Sequence, residues 1–396
     1  MVAAAGPVGS SSFLPYRHTI PNGHSVMSSF VFTVGADALA LRWPDGSVST
    51  CPYVWLRDNC PSVLHPQTRE RMFDLLSIPP DPRPRHVALA DGLLVVTWAG
   101  EEHVSRFPLD WLARHRPGTR PADPADIPRV PWKGDFRIPR HDAAAILSDD
   151  GALAAWMADL ARSGLAIVGG VADEVGAGSA LAERIGFLRR TNFGITFEVV
   201  SRPDPNNLAY TAEHLPLHTD LPNQEIPPGF QFLHCLANAA EGGESMFADG
   251  IAIAEDLRAA DPEAFRLLCT VPIPFRFHDA EADIAVHRPV LTPDDAGGIR
   301  EIRYNAHIAG TFDMPAQLMA DYYRAYRAFM TRTRQDRFVL SLRLAPGDMV
   351  AFDNRRTLHG RGRFHPNTGF RHLHGCYVDR GEFESRLRLL ARHRPA

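Results

Sequence analysis

The chain has 396 residues, 45% hydrophobic and 22% charged, with a formal net charge of -4. That length exceeds what one hydrophobic core normally organises, so two domains are expected. The residue mix excludes general disorder, and mild acidity with scattered arginines excludes counterion-driven binding to nucleic acid. Five cysteines without a CxxC pair make no disulfide framework, and no apolar run is long enough for a membrane span or a secretion signal. A soluble, cytoplasmic protein whose partners are small molecules is expected.

In chain order, residues 1–29 read as a flexible tail. From 30 to 116 the pattern is extended: "ALALRWPDGSVST" places Leu39, Leu41 and Trp43 on one face before a Pro-Asp-Gly turn, and "HVALADGLLVVTWAG" repeats the device around Asp91-Gly92. A small β domain is predicted there. The stretch 117–135 is rich in proline, arginine and small residues, a composition that favours an extended linker.

The remainder, 136–396, is the second domain. Leu153, Trp156, Met157 and Leu160 recur at helical spacing before Gly164, a residue suited to a left-handed helix end, and the strand Leu165–Val168 follows. Further strands are predicted at "FQFLHCL", "FVLSLRL" and "MVAFD". One long helix, "QLMADYYRAYRAFMTR", puts Leu318, Tyr322, Tyr326 and Phe329 on one side. Without βαβ alternation or a Gly-rich phosphate loop, a nucleotide-binding fold is disfavoured. The pattern predicts a mainly β protein with flanking helices, built on a double-sheet antiparallel barrel.

Candidate chemistry begins at "LPLHTDLPN", where His218 and Asp220 stand one residue apart, and is completed by His359 in "AFDNRRTLHGRGRF". Two imidazoles and one carboxylate make the facial triad that holds Fe(II) and leaves coordination positions open. Arg371, in "GFRHLHGCYVD", can return beside the metal on the next antiparallel strand. Its planar fork suits the distal carboxylate of a chelating 2-oxo acid. With 18 histidines in the chain, His214, His234, His372 and His374 remain structural alternatives on spacing alone.

On these segments, with "YVWLRDNC", "HVSRFPLDWL", "NNLAYTAEHLPLHTDLPN" and "FQFLHCLANAAEGGESMFADG", the chain resembles the γ-butyrobetaine dioxygenase family, a branch of the taurine-dioxygenase-like 2-oxoglutarate-dependent oxygenases. The resemblance implies a double-stranded β-helix core with Fe(II) at His218, Asp220 and His359. It also implies 2-oxoglutarate on Arg371 with Ser245 nearby, O2 as co-substrate, and a homodimer. It implies an aromatic cage for a trimethylammonium group at Phe193, Phe197, Tyr210 and Tyr377, with Asn207 and Asn305 toward the substrate's acidic end. The expected reaction is hydroxylation of γ-butyrobetaine to carnitine. Trimethyllysine, a trimethylammonio-alkylphosphonate or another small zwitterion are alternatives within the same chemistry, and a catalytically idle barrel that only binds is an alternative outside it. Two departures stand out: Leu221 occupies a place where the family shows an aromatic, and the family's structural zinc site is incomplete. Of its donors only Cys60 and His103 match, Ser62 replaces a second cysteine, and His65 could at best stand in for the third, so zinc is not expected to bind.

Overall fold

The computed structural model describes residues 14–19, 25–201 and 208–392, with side chains from Phe30 onward. The chain divides into two compact units, the first ending at Ala122 and the second beginning at Asp123.

In the first unit, strands Ala38–Arg42 and Val48–Pro52 pair across a turn in which Gly46 has φ +82°. Strands Pro84–Ala90 and Leu93–Trp98 pair across Asp91 and Gly92, both with positive φ, as a two-residue hairpin loop requires. The alternating residues Leu39, Leu41, Leu94, Val96 and Trp98 are buried together in one apolar cluster. The indole N–H groups of Trp43 and Trp98 donate to the hydroxyls of Ser49 and Ser105, which satisfies their only polar atoms. The expected tail is corrected in part. Leu14–Thr19 and Ser25–Val34 form an antiparallel pair that extends the first sheet, because backbone pairing does not need an apolar pattern. The rest of the tail lies outside the described residues.

The linker is also shorter than its composition suggests, since residues 123–135 belong to the second unit. Trp132 is buried there: its backbone N–H donates to Asp249 and its indole N–H to the carbonyl of Ser163. Side-chain burial overrides the proline-rich composition.

The second unit is built on two sheets. One runs in the order Thr196–Val199, Arg371–Val378, Phe230–Asn238, Met349–Asp353, Leu165–Gly169, Arg140–Asp142, antiparallel except for its last pair. The other runs Leu215–His218, Thr357–Arg361, Ser245–Asp249, Leu340–Leu342. Leu165, Ile167, Leu233, Phe247, Phe352 and Leu373 from the two sheets meet in one buried cluster, as in a jelly roll. Helices cover the outer faces. Asp150–Ser163 is capped by the Asp149 carboxylate and ends at Gly164 with φ +73°, and it packs with Arg380–Arg392 against the larger sheet. The long helix Ala316–Arg332 packs Tyr322, Ala325, Tyr326 and Phe329 with Leu217, Ala248 and Leu358 of the smaller sheet. Leu318 differs from expectation: it lies in the first turn and is exposed. Among the described residues no helix is long and apolar enough to cross a membrane.

Candidate active site and metal centre

His218 ends its strand directly opposite His359 of the neighbouring strand, and their ring centroids are 4.3 Å apart. Asp220 lies just past the strand end, where its Oδ1 is 3.2 Å from His218 Nε2 and 3.7 Å from His359 Nε2. One ligand atom from each of the three lies within 4.8 Å of the others. No other group of three or more such side chains forms among the described residues.

The surroundings suit a cation. His218 Nδ1 is 2.9 Å from the carbonyl of Pro216, a contact that orients the ring with Nε2 toward Asp220. Burial pushes the His359 imidazole down to about 3, with His218 adding to the effect, so it is neutral at neutral pH. Burial pushes the Asp220 carboxyl up, but the two imidazoles and the Tyr377 hydroxyl outweigh it and hold the group below the ordinary carboxylate range. A neutral His359 and an ionised Asp220 suit a divalent metal.

Asp220 is fixed from both sides. Its backbone N–H donates to Asn354 Oδ1 at 2.7 Å, and Asn354 Nδ2 donates back to the Asp220 carbonyl at 3.0 Å. The Tyr377 hydroxyl donates to Asp220 Oδ2 at 2.7 Å. Leu221 follows at φ +53°, a left-handed conformation uncommon for a side-chain-bearing residue, which turns the chain away immediately after the carboxylate.

A cavity of about 390 Å³ opens over the triad, a size within the usual range for small-molecule sites. Arg371 and Ser245 line it. Arg371 is 6% exposed and makes no hydrogen bond or ion pair with a described residue; burial lowers its guanidinium to about 10, which still leaves it charged at neutral pH. Arg361 and Arg363, the other arginines nearby in sequence, are already occupied. Arg361 donates to the carbonyls of Thr211 and Glu213, and Arg363 pairs with the Glu213 carboxylate.

The aromatic residues singled out in the sequence, Phe193, Phe197, Tyr210 and Tyr377, all line this cavity, as does Asn305. Phe197 stacks on Tyr377 with centroids 5.0 Å apart. It can do so because residue 375 is glycine: a Cβ there would stand 2.4 Å from the Phe197 ring. Asn305 Oδ1 accepts the backbone N–H of His307, which leaves its Nδ2 as the available donor. Asn207 lies outside the described residues. Sequence reasoning missed Asn354, Gly375, Phe277, Gln231 and Asn223. Asn354 stood inside the quoted His359 segment and could have been suspected, whereas Phe277 belongs to a distant hairpin and gave no local signal.

The donors considered for zinc do not converge. Cys60 Sγ is 3.1 Å from the Ser62 hydroxyl, and His65 Nδ1 accepts the backbone N–H groups of Gln67 and Thr68. His103 Nε2 is buried without a partner, and burial together with nearby Arg57 lowers that imidazole's pKa. The residues present do not fit a tetrahedral zinc site.

Two imidazoles and a carboxylate at a jelly-roll mouth, beside a buried guanidinium that pairs with no described residue, are the groups that an oxygenase using Fe(II), 2-oxoglutarate and O2 needs. Comparison with known proteins narrows this. The family described as taurine catabolism dioxygenase TauD, TfdA family matches residues 130–377, and the gamma-butyrobetaine hydroxylase-like amino-terminal domain matches residues 32–113. The chain is 43% identical to a gamma-butyrobetaine dioxygenase of Pseudomonas sp. (strain AK-1), covering 90% of this chain and 94% of that one. It is 30% identical to the gamma-butyrobetaine dioxygenase of Homo sapiens, over 90% and 95%. It is also 30% identical to a mitochondrial trimethyllysine dioxygenase of Gallus gallus, over 95% and 90%. The chain belongs to the TauD, TfdA dioxygenase family, in the branch that carries the gamma-butyrobetaine hydroxylase-like amino-terminal domain.

Proposed function

We propose that this dioxygenase hydroxylates an unactivated C–H bond of a small quaternary amine, converting γ-butyrobetaine to carnitine. In this reading His218, Asp220 and His359 hold Fe(II), and Arg371, with Ser245 beside it, holds the distal carboxylate of 2-oxoglutarate. The carrying observation is the buried Arg371, which pairs with no described residue, in the same cavity as the three donors and the aromatic rings. An uncompensated buried charge is costly, and a dicarboxylate with two parallel acceptors relieves it.

When bound, iron, 2-oxoglutarate and O2 supply the oxidising power, releasing succinate and CO2 as the substrate carbon gains a hydroxyl. The protein's own side chains position the reactants. Asn354 and Tyr377 keep the Asp220 carboxylate turned toward the two imidazoles. Arg371 orients the co-substrate before O2 arrives, and Phe193, Phe197, Tyr210 and Tyr377 offer ring faces to the trimethylammonium group, each worth roughly 0.5–2 kcal/mol where well placed. Asn305 Nδ2 donates to the substrate's acidic end, and Asn207 has the same assignment.

Succinate release measured with γ-butyrobetaine, trimethyllysine, a trimethylammonio-alkylphosphonate and 4-aminobutyrate tests the reading. γ-Butyrobetaine is expected to stimulate turnover most. Equal stimulation by 4-aminobutyrate, or none by any trimethylated amine, overturns it. A homodimer belongs to the same reading and is checked by light scattering; a cytoplasmic location fits five free thiols.

A further inference from the structure

We infer that Phe277 is a fifth wall of the cation cage, presented by a hairpin that is tethered to the metal-ligand segment, and that it helps set the preference for a quaternary ammonium. This rests on the substrate reading above. Phe277 lines the cavity, is 8% exposed, and meets Phe193 edge to face with centroids 5.3 Å apart. It comes from the strand Ile273–His278, which pairs with Asp283–Arg288 as a separate two-stranded hairpin.

The strand's alternation explains the ring's position. Phe275 is fully buried in the helical core and anchors the strand, and Phe277, two residues on and on the same face, reaches the cavity. The carbonyl of Ile284, the residue paired with Phe277, accepts a hydrogen bond from Asn223 Nδ2 at 3.3 Å. Asn223 is fully buried and lies three residues after Asp220, so the hairpin is tied to the segment that carries the carboxylate ligand. The Arg276–Asp283 ion pair closes the hairpin from its exposed side. The ring is therefore held relative to the triad by backbone and amide contacts of its own hairpin, separate from the turn that carries Phe193 and the strand Thr196–Val199 that carries Phe197.

The test separates a ring face that reads charge from a ring that fills space. Binding of γ-butyrobetaine and of its neutral carbon isostere, 5,5-dimethylhexanoate, is measured calorimetrically on the iron-loaded, 2-oxoglutarate-bound protein without O2. Phe277→Leu should weaken γ-butyrobetaine roughly two- to thirty-fold while changing the isostere much less, and Phe277→Trp should restore the cation's affinity. Equal loss of both ligands, or no loss of either, overturns the role of Phe277. Wild-type protein that binds the two ligands equally overturns the substrate reading, and the cage with it. An unchanged affinity for 2-oxoglutarate and an unchanged melting temperature in Phe277→Leu exclude a general collapse of the site.

Discussion

The two ends of the cavity are held in place by different physics. At the metal end, directed hydrogen bonds fix the donors: His218 Nδ1 to the Pro216 carbonyl, the Asp220 N–H to Asn354 Oδ1, and the Tyr377 hydroxyl to the Asp220 carboxylate. At the cage end, Phe193 and Phe197 are positioned by ring packing and, for Phe197, by the absence of a side chain at Gly375. Directed bonds tolerate little change, because removing one partner leaves a buried polar group unsatisfied. Packed rings allow substitutions of similar shape. Coordination geometry is thus the rigid part of the site, and substrate choice is the part open to variation.

The sharpest break of this contrast is His359→Ala, which removes a ligand and should abolish amine-stimulated succinate release while leaving the circular dichroism spectrum unchanged; native-rate turnover would reject the triad. Asn354→Ala comes next. It touches no substrate, yet it frees the Asp220 backbone and should lower iron affinity or activity roughly 10- to 100-fold, the usual effect of removing a group that orients a ligand. An iron titration checks it, and an unchanged midpoint would mean that the carboxylate is held by Tyr377 alone.

Arg371→Lys keeps the charge but loses the planar fork. The apparent KM for 2-oxoglutarate should rise about tenfold or more, from loss of a charge-assisted bond worth roughly 1.5–3 kcal/mol, with little change for the amine. The smallest expected effect falls at the cage end. Gly375→Ala pushes the Phe197 ring off the neighbouring strand, so the KM for γ-butyrobetaine should rise a few-fold, within the roughly 0.5–2 kcal/mol of one ring face, while 2-oxoglutarate kinetics stay the same. If Gly375→Ala disturbed the iron titration as strongly as Asn354→Ala, the two ends would not be separable.

The same division governs what could be read in the sequence. His218, Asp220, His359 and Arg371 announce themselves because coordination and carboxylate binding need particular residue types at strand ends. Tyr377 was legible only as an aromatic; that its hydroxyl serves Asp220 depends on the register that brings the Arg371–Val378 strand alongside. Phe277 was invisible because "IPFRFH" reads as an ordinary alternating strand, and only the tertiary path of its hairpin brings the ring to the cavity. The first sheet's extra strands were missed because backbone pairing leaves no apolar pattern. Residues 123–135 were misjudged because a single buried tryptophan outweighs the prolines around it.

The contacts that secure Asp220 reach far along the chain: Asn354 stands 134 residues downstream and Tyr377 stands 157. Such pairings form only after long loops have closed, which makes them late events in folding. During synthesis, His218 and Asp220 emerge well before His359, Asn354 and Tyr377, so a growing chain carries ligand residues without a ligand geometry. The three proposed ligands meet only where Thr357–Arg361 pairs with Leu215–His218, and Tyr377 reaches Asp220 only where Arg371–Val378 lies in the larger sheet. The proposed metal site is thus built from segments distant in sequence, and its geometry depends on the closed barrel rather than on any local stretch of chain.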